Sequence, residues 1–417
     1  MPTLSRVLAA ISICTAIYYS AAGPSLNGAD HPQGPAVKTE EQHIARLLGR
    51  LSDNNKFIRE EAARALAKIV DPKIPGPVRK RIAVERDFHV KLALHHALAC
   101  QGDKQALAFL IDSLTKTGHL GSFYLDSATG RDFGWQIDKY RKWYANTSNE
   151  QYRAFVNDRW KRKPMMEEWS KFASLYQEKH FSSQLNPETG KLGDRKPMTA
   201  ERMKQLSELP TAKAWSVFES ALGELQKKGN RKEAARLFGK VATEYPNTYY
   251  ADQSKELADL LNGMIAEDSN YEPPQEIASL TQREQIAFHI FNLRDVVGYQ
   301  FSQPGYCAIL SEVPLPDNSK YNAARALRDI GEPAVPDLIA LLSDRRPIRA
   351  VGYWRNFVPM RIVLRYQDAA AQIISAIRSG KAYKPPMMGS YFSTERPDTQ
   401  QAIIESLRAS VKTKPHS

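Results

Sequence analysis

Residues Ala323 to Asp344, AARALRDIGEPAVPDLIALLSD, constrain this chain more than any other stretch, because they spell two short helices joined back to back. Ala323, Ala326, Leu327 and Ile330 recur at helical spacing, Gly331 ends the first helix, and Pro333 follows it. A unit of this size cannot bury its apolar face alone. It needs a neighbour like itself, so the pattern should recur.

It does. In residues 44–69, Ile44, Leu47, Leu48 and Leu51 form one stripe, the chain breaks at Ser52-Asp53-Asn54-Asn55, and Ile58, Ala62, Ala65, Leu66 and Ile69 form a second. In residues 88–114, Val90, Leu94, Ala97 and Leu98 lead into Gly102-Asp103, after which Ala106, Leu107, Leu110, Ile111 and Leu114 resume the period. A fainter copy runs from Asp368 to Ile377 through Ala369, Ala370 and Ile373. Small alanines let a partner helix approach closely, and Leu and Ile fill the space between.

These residues resemble HEAT repeats, which stack helical hairpins into α-solenoids. An Asp closing the first helix of such a hairpin is often followed by an Arg early in the second, and Asp53 and Arg59 match. The Asp87 copy carries Val90-Lys91 at that place, and the Asp344 copy has Arg349 one residue early. The resemblance covers residues 40–115 and 320–378 and implies an all-α solenoid that acts as a binding surface rather than a catalyst.

Between these arrays the pattern changes. Trp215, Phe218, Ala221, Leu222 and Leu225 mark one helix, and Ala234, Ala235, Leu237, Phe238 and Val241 a second. Ala251, Leu257, Leu260 and Leu261 mark a third after the break at Tyr245-Pro246-Asn247-Thr248. GNRKEAARLFGKVATEYPNTYYAD resembles a tetratricopeptide-type repeat, with Arg231 where that family often has an aromatic. Residues 281–316 read as helical to Asp295 and irregular through Gln303-Pro304-Gly305-Tyr306-Cys307. With GEPAVPDLIALLSD and RPIRAVGYWRNF, this tail resembles exported bacterial HEAT-repeat proteins.

Gly118 to Gly134 reads as a loop. Trp135, Tyr140, Trp143, Tyr144, Tyr152, Phe155, Trp160, Trp169, Phe172 and Tyr176 then crowd a short span interleaved with Arg159-Trp160-Lys161-Arg162-Lys163. Aromatics among cations can stack on sugars or bases. Trp143, Phe155 and Phe172 fall in helix-like runs, however, which favours filling a seam between helices. Ser182 to Lys196 carries turn signals at Asn186-Pro187, Thr189-Gly190 and Gly193-Asp194 and reads as an exposed loop.

Arg6 precedes the apolar run Val7 to Ile17, which closes on Ser20-Ala21-Ala22-Gly23, a small-residue site of the kind signal peptidase accepts. The run is shorter than the roughly 20 residues that span a bilayer, so a cleaved leader is expected rather than an anchor. The mature chain is then expected to be exported, periplasmic or secreted, without a transmembrane span. Loss of Arg6 lowers the net charge from +12 to +11. Outside the cytoplasm such a chain meets acidic polysaccharide, anionic headgroups or acidic proteins, and no nucleic acid is expected. Cys100 and Cys307 are too few for a disulfide framework; a buried thiol is the default for Cys100, and one long-range disulfide stays open.

The organisation expected is a signal peptide at 1–22, a leader at 23–39 and HEAT-like repeats at 40–117. An aromatic-rich segment at 118–200 and a tetratricopeptide-like segment at 201–265 come next. HEAT-like repeats at 266–380 and a tail with a short helix at 381–417 complete the chain. HExxH, GxSxG, a Gly-rich phosphate loop, CxxC and EF-hand spacing are all absent, so no catalytic residue and no cofactor is implied. His89, His96 and Cys100 share a helix face that could hold a metal, with His95 beside them, but Leu92, Ala93 and Ala99 make it a packing face. Asp126, Asp132 and Asp138 have no calcium-loop spacing.

The reading is a non-catalytic interaction scaffold that binds a protein partner. Two alternatives stand beside it: a binder of anionic polysaccharide through a basic stripe, and an envelope enzyme with an unrecognised site. The candidate ligand-binding residues are Arg345, Arg346, Arg349, Trp354, Arg355, Arg361 and Arg365, since guanidinium groups fork carboxylate or phosphate and stack on rings. Internal pairing of these arginines with Asp344, Asp329 and Asp368 is the competing role. N-terminal sequencing of exported protein should return Gly23 as the first residue; an intact Met1 in that fraction would contradict the cleaved leader.

Overall fold

Asn55 begins the second helix of the first hairpin by accepting the Phe57 N–H on its side chain at 3.0 Å. Asp87, Asp103 and Asn322 cap later helices in the same way. The structure, a computed structural model, describes residues 40–131, 133, 136–180, 198–227, 229–301, 306–311, 322–353, 358–378, 391–395 and 397–412. The expected signal peptide and leader, the loop 182–196, Trp135, Asp132, Trp354 and Arg355 lie outside them.

The chain divides into two compact units, Met1–Pro164 and Met165–Ser417. The first holds α1 (Glu40–Arg50), α2 (Lys56–Leu66), α3 (Pro75–Val84), α4 (Phe88–Cys100), α5 (Lys104–Thr117), α6 (His119–Thr129), α7 (Ile137–Asn146) and the first half of α8 (Asn149–His180). Helices α2, α4 and α5 pack in sequence, and Ala62, Leu66, Val90, Leu94, Ala97, Leu107 and Leu110 are buried as the spacing predicts. The loop expected over 118–134 is instead largely helical, with Tyr124, Leu125 and Ala128 buried. Two of its glycines are helix ends: Gly118 and Gly130 adopt φ of 53° and 63°, conformations a Cβ disfavours, while Gly121 lies within the helix.

The aromatic-rich segment is shared between the units, and in this one Tyr140 and Tyr152 are fully buried. Tyr152 donates to the Ala99 carbonyl at 2.8 Å, Trp160 Nε1 donates to Cys100 O at 3.1 Å, and Arg159 donates to Ser127 O. These acceptors sit at the ends of α4 and α6, whose last carbonyls have no partner within the helix.

The second unit holds the remainder of α8, then α9 (Ala200–Glu208), α10 (Pro210–Gln226), α11 (Arg231–Glu244), α12 (Ala251–Ser269) and α13 (Gln282–Asn292). The unit continues through α14 (Ala323–Ile330), α15 (Val335–Leu341), α16 (Tyr366–Ile377) and α17 (Pro397–Lys412). Phe172, Trp215, Phe218, Phe238, Tyr250 and Leu261 belong to its core. Two small antiparallel hairpins interrupt the helices, β1 (Tyr299–Phe301) with β2 (Tyr306–Ala308) and β3 (Pro347–Gly352) with β4 (Ile362–Arg365). The Asp344 copy therefore continues into a strand rather than a second helix, since Pro347-Ile348-Arg349-Ala350-Val351-Gly352 is a short buried run with β-branched residues. Cys100 and Cys307 are both free and buried, each in its own unit.

Arg59 does not pair with the Asp53 side chain, which accepts the Asn55 N–H at 2.7 Å. The Arg59 guanidinium donates to the backbone carbonyls of Asp53 and Asn54 at 2.8 and 2.9 Å and forks the buried carboxylate of Glu85 at 2.8 and 3.0 Å. Arg81 adds a bond to Glu85 at 2.7 Å, and the Arg86 and Asp87 N–H groups each add one at 3.0 Å. Burial alone would raise the Glu85 pKa, but these donors outweigh it and hold the carboxyl at about 2, below its ordinary 4.5. A carboxylate depressed in this way contributes stability that is fully present above pH 4.5 and lost as pH falls toward 2. Acid titration of unfolding midpoints should show that loss, and the gap between wild type and Glu85→Gln should shrink over the same interval. Arg59→Ala should cost about 1–3 kcal/mol, because it removes the fork on a buried carboxylate that keeps only Arg81 and two backbone N–H donors. Leu66→Ala, at a fully buried site, should cost about 2–5 kcal/mol by denaturant midpoint.

Candidate functional site

The arginines after Asp344 lie where α12, β3, β4 and the turn Leu293–Asp295 come together in the second unit. Arg346 pairs with Asp344 at 2.6 Å and Glu267 at 3.0 Å and lies 4.5 Å from the centre of the Tyr366 ring. Burial would lower its pKa, but Asp344 and Glu267 raise it above the ordinary arginine value, so it stays charged. Arg349 is buried and donates to the Gln226 carbonyl at 2.5 and 3.0 Å and to Asp295 O at 3.3 Å, clasping the end of α10. Arg365 forks Glu256 at 2.9 and 3.0 Å, and Arg345 reaches the same carboxylate at 2.6 Å. Arg361 donates to Val358 O at 2.7 Å, with its guanidinium 4.7 Å from the Tyr353 ring centre and 5.2 Å from that of Trp215.

Of the three acids expected as partners, only Asp344 takes that part. Asp329 pairs with its neighbour Arg328 at 2.8 Å. Asp368 is buried and accepts the N–H groups of Arg365 and Ser393 at 2.8 and 2.7 Å; burial pushes its carboxyl up to about 6 against those donors. The principal acids are instead Glu256, Glu267, Asp268 and Asp295, joined by two further arginines. Arg231 bridges Asp268 at 2.7 Å and Asp295, while the fully buried Arg294 holds Glu267 at 2.6 Å and Asp268, 3.7 Å from the Phe291 ring centre. The one trace of this in the sequence is Arg231, which breaks the aromatic habit of a tetratricopeptide position.

The network falls into two parts. Arg231, Arg294 and Arg346 meet Asp268, Asp295, Glu267 and Asp344, whereas Arg345 and Arg365 share Glu256, their one ion-pair partner among the described residues. The first part is saturated with acid, and the second is short of it. Arg345 is the most exposed member, with 64% of its side chain accessible against 44% for Glu267.

In the first unit, His96 and Cys100 approach at 3.4 Å, His96 Nε2 lies 3.2 Å from Ser127 Oγ, and the His96 ring stacks on Tyr124. His89, on the same helix, is exposed and does not join them. Burial drives the His96 pKa down to about 3 and raises that of the Cys100 thiol, so neither is charged near neutrality. Among the described residues no group of three or more His, Cys, Asp and Glu is arranged to hold a metal ion. Asp126 accepts a hydrogen bond from Tyr140, and Asp138 is exposed.

Residues 319–344 match the PBS lyase HEAT-like repeat. This is the stretch that forms α14, the turn Glu332–Ala334 and α15. The chain matches no curated protein. HEAT-like repeats generally mediate protein interaction, and proteins built from them are typically not catalysts. No helix among the described residues is long and apolar enough to cross a membrane.

Arg294→Met should lower the melting temperature, by a loss of about 1–3 kcal/mol, since it removes hydrogen bonds to a charged group at a buried position while Arg346 and Arg231 still pair with Glu267 and Asp268. Arg345→Ala, at an exposed pair, should cost at most about 1 kcal/mol. Thermal melts of the two variants side by side check both values.

Proposed function

We propose that this protein is a non-catalytic interaction scaffold of the exported fraction, working as a helical-repeat surface that engages a protein partner through many modest contacts. The observation that supports this most is the HEAT-like hairpin at residues 319–344, whose closing Asp344 pairs with Arg346. The basic stretch contributes first to holding the fold, since most of its described arginines are committed to carboxylates or carbonyls of the same unit. Affinity capture on the mature chain from the envelope fraction, followed by size-exclusion chromatography, should return one protein at fixed stoichiometry that high salt does not release. Failure of any protein to co-elute would overturn the reading.

A second reading, binding of an anionic polysaccharide, is favoured by Arg345 and Arg365 sharing a single carboxylate. On that reading Glu256→Gln should tighten binding to a sulfated polymer and Arg345→Ala should weaken it, with a steep salt dependence in each case. Identical retention of all three proteins on such a polymer would exclude it.

A further inference from the structure

The first unit contains a polar cleft of about 300 Å³ that plays no part in the ion network of the second. Its lining comes from the start of α3, the turn between α4 and α5, and the start of α8. The charge there is unbalanced: Arg79, Lys104 and Arg153 accompany one carboxylate, Asp103. That carboxylate is already engaged. One oxygen accepts the Gln105 N–H at 3.0 Å, and the other accepts Arg79 Nη2 at 2.8 Å and Nε at 3.3 Å.

Two cations are left over. The Lys104 ammonium sits 4.1 Å from the Tyr144 ring centre, a contact that leaves its N–H donors open. Arg153 is exposed and has no hydrogen bond or ion pair among the described residues. Glu150, one turn before it on α8, accepts from Ser148 Oγ at 2.9 Å and attracts Arg153 through space without forming an ion pair. A guanidinium fork and an ammonium beside a neutralised acid offer several charge-assisted donors, which suits an oxyanion with three terminal oxygens better than a carboxylate with two. The volume lies at the small end of the roughly 300–1,000 Å³ typical of ligand clefts. The amide side chains of Gln105 and Asn149 line the same space and supply donors and acceptors for hydroxyl groups.

We propose that this cleft binds a tetrahedral oxyanion, phosphate or sulfate, carried as an ester on a small hydroxylated group. The inference is independent of the scaffold reading, since it concerns one cleft in the first unit and requires no protein partner.

Calorimetric titration of the full chain at low ionic strength with glycerol phosphate, glycerol sulfate, inorganic phosphate, inorganic sulfate and glycerol tests it. One of the esters should bind more tightly than its own free ion, glycerol should not bind, and the better ester identifies the anion. Arg153→Gln and Lys104→Gln should each weaken that ester by about tenfold or more. Arg153→Gln should leave the melting temperature unchanged, and Lys161→Gln, an exposed cation further along α8, should leave binding unchanged. Absence of binding by both esters overturns the proposal. Free ions that bind as well as their esters mean an adventitious ion only, and overturn it too. A Lys161→Gln loss equal to that of Arg153→Gln would show diffuse attraction and overturn it as well.

Discussion

A helix leaves its last carbonyls without partners, and this protein satisfies them with long side chains sent from distant segments. Tyr152 and Trp160 do so for α4, Arg159 for α6, Arg349 for α10, and Tyr366 for α13 through Phe291 O at 3.0 Å. A solenoid of short hairpins has many helix ends for its length, so this need recurs along the chain. Meeting it with side chains from other elements ties neighbouring segments of a unit to one another. An apolar face alone would permit sliding, whereas a donor aimed at one carbonyl fixes register as well as contact.

The ionic pairs follow from the same economy of donors. Arg59 spends one nitrogen on the carbonyls of Asp53 and Asn54 and two on Glu85, so a single guanidinium closes a turn and joins it to the next hairpin. Lysine in its place has no planar fork and loses the bidentate bond. Arg294 combines a ring contact, a backbone carbonyl and two carboxylates in the same manner. Buried charges of this kind are tolerated because nearly every donor is used.

How much of this was legible in the sequence depended on range. The paired helices α1–α2, α4–α5 and α10–α12 were legible because their apolar spacing repeats over several turns. Helix α6 was not, since Gly118 and Gly130 looked like a loop and are its two ends. Helix α3 was hidden by Pro75-Gly76-Pro77, yet proline in the first turn forfeits an N–H that has no partner there anyway. Strand β3 is buried along its whole length and so shows no alternation to read. At the candidate site, the Asp344–Arg346 pair was within reach, two residues apart, whereas the partners of Arg365 and Arg346 on α12 stand 109 and 79 residues away. No local pattern specifies such a partner; only the packing of α12 against the strand does.

The two described cysteines have a consequence for observing this molecule at work. Each unit holds one, Cys100 or Cys307, with no exposed surface. Burial raises both thiol pKa values, that of Cys307 to about 12, so neither reacts while its surroundings stay closed. Alkylation at Cys100 therefore counts openings of the first unit, and alkylation at Cys307 counts openings of the second. The chain carries a built-in pair of clocks, and mass spectrometry of labelled peptides reads each one separately under any load, partner or salt.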